Sequence, residues 1–170
     1  MPYFGMIWAS AESLVARLLM GPRLDGARVL DLGCGLGACG FAALCLGAHV
    51  TFFDWEPRAL DIVAASARQQ GTSAATYELV VGDWRQPPRF DPFDLILAAD
   101  VLYERRNVPA VAAFIASNLR SDAEAWVADP GRIQAGLFPE MAQQAGLAVE
   151  TEVLPPQPHG MQIKLLRTRL

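Results

Sequence analysis

The sequence predicts an α/β fold with a mostly parallel sheet covered by helices on both faces, and three observations carry that prediction. Strand-like and helix-like segments alternate along the chain. The run Phe93-Asp94-Leu95-Ile96-Leu97-Ala98-Ala99 is almost continuously apolar, as a strand buried on both faces must be. Finally, the short strand-like run Arg28 to Leu32 leads directly into the turn Gly33-Cys34-Gly35-Leu36-Gly37 and an Ala-rich helical stretch. A strand, a glycine turn and a helix start in that order are how a parallel sheet makes room for a nucleotide. Together these features describe a Rossmann-like three-layer sandwich.

Each element follows in order. Ser10 to Met20 reads as an amphipathic helix stopped by Gly21-Pro22. After the first strand and the glycine turn, a helix is expected over about Ala38 to Leu46, with Gly47 at its C-terminal turn. His49 to Phe53 forms the second strand, closed by Asp54, and Pro57 to Gln70 a helix with Pro in its first turn and Gly71 past its end. Tyr77 to Val81 is the third strand and Phe93 to Ala99 the fourth, ended by Asp100. Val108 to Leu119 suits a helix and Ala125 to Ala128 a fifth strand, ending at Asp129-Pro130-Gly131-Arg132. Leu137 to Ala145 is a last helix, and Leu147 to Leu154 and Met161 to Arg169 are strands. The link Pro155-Pro156-Gln157-Pro158 is too short for a crossover helix, so these two strands are expected as an antiparallel hairpin.

At 170 residues, residues 1–170 are expected to form a single domain. Hydrophobic residues at 52% and charged ones at 19% mark a globular chain. A formal net charge of −4 offers no global attraction for nucleic acid. The opening lacks a basic targeting region, and no apolar run reaches membrane-spanning length, so neither a nucleic acid nor a membrane is an expected partner. Cys34, Cys39 and Cys45 match neither a zinc site nor a disulfide framework, which fits buried thiols in a reducing cytoplasm and no metal. His49 opens a strand and His159 falls in the Pro-rich link, so neither is a strong catalytic candidate.

The ligand of such a sheet sits at the carboxyl ends of its strands, and that is where the acids fall: Asp31, Asp54, Asp83, Asp100 and Asp129. Asp at a strand end is also a common turn former, so each alone has two readings. Gly33, Gly35 and Ala38 fit the dinucleotide pattern as well. Asp31, however, stands two residues before the first glycine, close to where a pyrophosphate would lie. A carboxylate there repels a phosphate and attracts the sulfonium and ammonium of S-adenosylmethionine. Asp54, about 20 residues beyond Gly33, is placed to accept hydrogen bonds from both ribose hydroxyls. Trp84, next to Asp83, is either an adenine contact or a packed core residue, with Asp83 or a neighbouring backbone group reading the exocyclic amine. Trp8, before the first helix, is either a lid or an anchor. Asp100-Val101-Leu102-Tyr103 is the expected place for chemistry, an acid and a phenol able to hold an amine, the alternative being a helix cap with a buried Tyr.

The strings Arg-Val-Leu-Asp-Leu-Gly-Cys-Gly-Leu-Gly, Leu-Gly-Ala-His-Val-Thr, Asp-Trp-Glu-Pro, Gly-Asp-Trp and Phe-Asp-Leu-Ile-Leu-Ala-Ala-Asp-Val-Leu-Tyr-Glu resemble the seven-stranded class I methyltransferases. More narrowly, from about Trp8 to Arg132 the chain is similar to the small protein-lysine methyltransferases with an Asp-x-x-Tyr motif, the nicotinamide N-methyltransferase-like group. That group includes enzymes acting on the electron-transfer flavoprotein β subunit. The resemblance implies a seven-stranded sheet in the order 3-2-1-4-5-7-6 and S-adenosylmethionine as cofactor. By the same resemblance Gly33, Cys34 and Gly35 line the methionine moiety, Asp54 meets the ribose, Trp84 meets adenine, Ala99 forms a wall and Trp8 approaches the cofactor, with Trp55 also expected among the cofactor-binding residues. Asp100 and Tyr103 then stand at the methyl-acceptor channel. The chain departs from these relatives in having Asp31 where Glu is frequent and Ser66-Ala67 where an Asn is frequent. The expected activity is S-adenosylmethionine-dependent methyl transfer to a protein lysine. A small-molecule amine or hydroxyl is the alternative acceptor, and a non-catalytic cofactor-binding subunit the alternative role.

Overall fold

The computed structural model describes residues 3–155 and 160–170; His159 and most of the Pro-rich link lie outside the described residues. Seven strands, β1 (Arg28–Leu32), β2 (His49–Asp54), β3 (Tyr77–Val81), β4 (Phe93–Ala99), β5 (Leu119–Asp129), β6 (Ala148–Val153) and β7 (Lys164–Arg169), form one sheet in the order β3-β2-β1-β4-β5-β7-β6. The first five are parallel, and β7 runs antiparallel to both β5 and β6. The α/β sandwich and its C-terminal hairpin are as the sequence predicts, and the strand order is the one the family resemblance implies.

Period-two alternation explains the two covered faces. In β1, Val29 packs with α1 (Ala9–Leu19), α2 (Ala38–Cys45) and α3 (Pro57–Gln69), while Leu30 and Leu32 face α4 (Asn107–Asn118) and α5 (Phe138–Gln144). The adjacent Phe52 and Phe53 of β2 divide the same way between the two cores. On the first face α2 lies close on the sheet because Gly40 has no side chain: a Cβ there would stand 2.2 Å from Phe52 Cε1.

Two stretches differ from the sequence reading. β5 begins six residues earlier than Ala125, and its register against β4 shifts between Phe93 and Leu95. The exposed polar residues Arg120 to Asp122, between the expected helix and strand, continue the strand at its solvated end. Between β5 and α5 a short 3-10 helix, Ile133–Leu137, replaces the expected loop, and β6 and β7 are shorter than their apolar runs. Apolar content at a strand end reports burial, and Leu154 and Ile163 are buried although they lie outside the strands.

Candidate functional site

Opposite strand order on the two sides of β1 and β4 leaves a crevice at their carboxyl ends. A cleft of about 590 Å³ occupies it, within the range of small-molecule sites. Its floor is the turn after β1. Gly33, Gly35 and Gly37 have φ of +68°, +51° and +77°, a left-handed path that side chains resist. The N–H groups of Gly33 and Cys34 both donate to the Phe53 carbonyl at 2.8 and 3.1 Å, which ties the turn to the end of β2. Gly33, Cys34 and Gly35 all line the cleft, and burial holds the Cys34 thiol protonated.

Two buried acids flank this turn. Asp31 is 3% exposed, and its Oδ2 accepts the Gly40 N–H at 2.8 Å. Burial pushes its carboxyl up to about 7 although that hydrogen bond favours the ionised form. Asp54, at the end of β2, accepts the Gly35 N–H on Oδ2 and the Glu56 N–H on Oδ1, both at 2.9 Å. Burial raises its pKa as well. A carboxylate offers about four acceptor positions, so both oxygens keep a lone pair after these bonds. Both residues line the cleft, as does Trp55, 65% exposed at its rim.

Trp84 follows β3 and stands against the floor: a Cβ on Gly33 would lie 3.2 Å from Trp84 Cζ3 and 2.9 Å from Val101 Cγ1. Its ring packs on the apolar core beneath α4 and also lines the cleft. Asp83 is placed elsewhere. Its two oxygens accept from Arg85 Nε at 2.9 and 2.8 Å, which lowers its pKa, and it faces a separate cavity of about 180 Å³. Trp8 caps the start of α1, where its carbonyl accepts the Ala11 and Glu12 N–H groups, and it lines the large cleft.

The end of β4 closes the site. Ala99 forms a wall, and Asp100 turns the chain with φ +60°, alone in the left-handed region among the described non-glycine residues. Such a conformation costs on the order of 1–2 kcal/mol. Tyr103 lines the same cleft, with a pKa raised first by its partial burial and then by Glu104. The Asp100 side chain is only 7% exposed and accepts Arg132 Nε at 2.5 Å. Arg132 is held in turn by Asp129, whose Oδ1 accepts the N–H groups of Gly131 and Arg132, both at 2.7 Å. Asp129 therefore shapes the loop beside the cleft and does not line it.

Sequence reasoning gave no role to Arg132 or to the N-terminal residues Phe4, Met6 and Ile7, all of which line the cleft. Arg132 carries one signal that sequence offers: it is the basic residue closing an Asp-Pro-Gly turn at a strand end otherwise marked by acids. For the N-terminal residues the only signal is their apolar character.

The walls fit S-adenosylmethionine on the chemistry of their groups. The side-chain-free floor at Gly33 leaves room for backbone contact, and the carboxylates of Asp31 and Asp54 suit an ammonium and a ribose diol. A pyrophosphate at this turn would face Asp31 instead.

A family model described as a methyltransferase domain matches residues 29–122. The chain is 38% identical over 112 residues to the protein N-lysine methyltransferase METTL21A of Danio rerio, covering 62% of this chain and 51% of that protein. It is 28% identical over 150 residues to the electron transfer flavoprotein beta subunit lysine methyltransferase of Xenopus laevis, covering 86% of this chain and 60% of that one. The chain thus spans between half and two thirds of the length of these relatives. Among solved structures it is similar to a TehB-like SAM-dependent methyltransferase from Corynebacterium glutamicum, with a TM-score of 0.71, 26% identity, and coverage of 96% of this chain and 88% of that one.

Proposed function

Because this chain belongs to the methyltransferase-domain family, we propose that it binds S-adenosylmethionine and directs its methyl group to the side-chain nitrogen of a protein lysine. The observation that carries this reading is the shared cleft: a carboxylate and a phenol, Asp100 and Tyr103, face the same space as the glycine turn and Asp54. The Asp-x-x-Tyr spacing and the names of two relatives, both lysine methyltransferases, support it.

S-adenosylmethionine supplies the electrophilic methyl group. The chain's residues have the other tasks. Asp54 holds the ribose hydroxyls, Trp84 packs on the adenine, Asp31 faces the ammonium, and Trp8 and Trp55 cover the bound molecule. Cys34, kept neutral by burial, packs beside it without competing as a nucleophile. Asp100 and Tyr103 orient the acceptor amine. A lysine has a reference pKa of about 10.4 and must lose its proton before it can attack. Tyr103, whose pKa partial burial raises, is placed to position the nitrogen through a hydrogen bond and a ring face. Most of the acceleration comes from orientation and exclusion of water.

Three unpaired thiols and a net charge of −4 fit action in the cytoplasm on a protein rather than a nucleic acid. Among the described residues no helix is long and apolar enough to cross a membrane. The test is radiolabelled methyl transfer from S-adenosylmethionine into a cell lysate. Label in protein, recovered as methyl-lysine on hydrolysis, is the expected result; label confined to small molecules overturns the lysine reading.

A further inference from the structure

Asp100 does not wait in the cleft as a bare carboxylate. Its side chain is almost fully buried and is already bound by Arg132 Nε, so the pair presents no net charge to an incoming ammonium. A lysine approaching Asp100 also meets the like charge of the guanidinium.

Arg132 is itself a built feature. Asp129, 1% exposed, grips the backbone of its loop through the N–H groups of Gly131 and Arg132, and Gly131 takes φ +87° to make the turn. The side chain so held lines the cleft and uses Nε alone: no group among the described residues accepts from its two terminal nitrogens. A guanidinium presents five donors in a rigid fork, matched in shape to a second carboxylate. Inside the cleft, then, a cation with donors to spare stands directly beside the acid that is to orient the amine.

We propose that Arg132 is a specificity-determining residue that selects lysines with an aspartate or glutamate close in sequence. The acceptor's own carboxylate pairs with the free edge of the guanidinium. That offsets the repulsion between guanidinium and ammonium and leaves Asp100 able to orient the lysine nitrogen. The exchange conserves charge: the ion pair of Asp100 and Arg132 becomes a four-membered alternation of two acids and two bases in the complex. This inference rests on the lysine-methylation reading above and deepens it by naming the sequence around the acceptor.

The experiment maps methylated sites in a lysate treated with the protein and S-adenosylmethionine, by mass spectrometry, for the unaltered chain and for Arg132→Gln. Sites should be enriched in Asp or Glu within about two residues of the lysine, and Arg132→Gln should lose that enrichment. Synthetic peptides from the best site, with the flanking Glu or its Gln replacement, should differ by about tenfold or more in kcat/KM with the unaltered chain. With Arg132→Lys the difference should be smaller, since a point charge keeps attraction but not the fork. Methylated lysines with no acidic neighbour, or a peptide pair that reacts equally well with the unaltered chain, overturn the role of Arg132 while leaving lysine methylation standing. No methyl-lysine at all overturns both. The peptide comparison needs no variant, so a failure of Arg132→Gln to fold leaves the test intact, and binding of S-adenosylhomocysteine reports whether the variant is folded.

Discussion

Asp54 Oδ2 accepts the backbone N–H of Gly35 at 2.9 Å, so one carboxylate at the end of β2 fixes the glycine turn that follows β1. Its other oxygen accepts the Glu56 N–H and aligns the entry to α3. The residue proposed to hold the ribose thus also fixes the floor of the cleft.

Asp54→Ala removes both roles at once. Hydrogen bonds to a charged group are worth about 1.5–3 kcal/mol each, so affinity for S-adenosylhomocysteine should fall by tenfold or more in calorimetry, with circular dichroism confirming a folded chain. Unchanged affinity would take Asp54 out of the binding site.

Gly33→Ala places a methyl group 2.9 Å from Val101 Cγ1 at a left-handed residue. The conformational cost alone is about 1–2 kcal/mol, which corresponds to a loss of roughly 3–6 °C in Tm for a chain of this size. Cofactor binding should weaken further because the added carbon narrows the cleft floor. A variant as stable as the parent would mean that the turn relaxes at no cost.

Asp31 makes stability and binding depend on pH in opposite directions. Its folded pKa of about 7 lies above the unfolded value near 3.9, so the empty protein holds this proton more tightly than the unfolded chain does. Its contribution is complete below the unfolded value and is lost as pH rises through about 7. The Tm of the chain without cofactor should therefore drop between pH 5 and pH 8, and Asp31→Asn, which retains an acceptor for Gly40, should show a smaller drop, with the remainder left by acids such as Asp54 whose pKa burial also raises. A cationic ligand favours the ionised form, so S-adenosylmethionine should bind more tightly at pH 8 than at pH 6, with proton release detectable in buffers of different ionisation enthalpy. Identical pH profiles for Asp31→Asn and the parent would sink this account.

Asp100→Asn keeps shape but breaks the charge pairing with Arg132. Methyl transfer should fall sharply while affinity for S-adenosylhomocysteine changes little, which marks an acceptor-side residue. Equal loss of both would move Asp100 to the cofactor side, and normal transfer would remove it from the chemistry.

Local pattern accounts for most of what the sequence alone determined. Short apolar runs alternating with helix-like segments mark the strands, the glycine turn after Leu32 marks the site's position at the strand ends, and Asp31, Asp54, Trp84 and Asp100 follow because each lies within a few residues of a strand end. Residues at the end of a strand held in the sheet have little freedom to be elsewhere. Tertiary structure alone decided the partners of the charges. Asp83 turns to Arg85, two residues away. Asp100 turns to Arg132, 32 positions along the chain. Both are acids after parallel strands and look alike in sequence. A carboxylate takes whichever cation the folded chain brings within about 3 Å, and which one that is depends on the adjacency of β4 and β5 and on the loop gripped by Asp129. The same holds for Phe4, Met6 and Ile7: their apolar character gives them no position, and only the packed fold places them on the wall of the cleft, where Met6 and Ile7 stay 46% and 52% exposed.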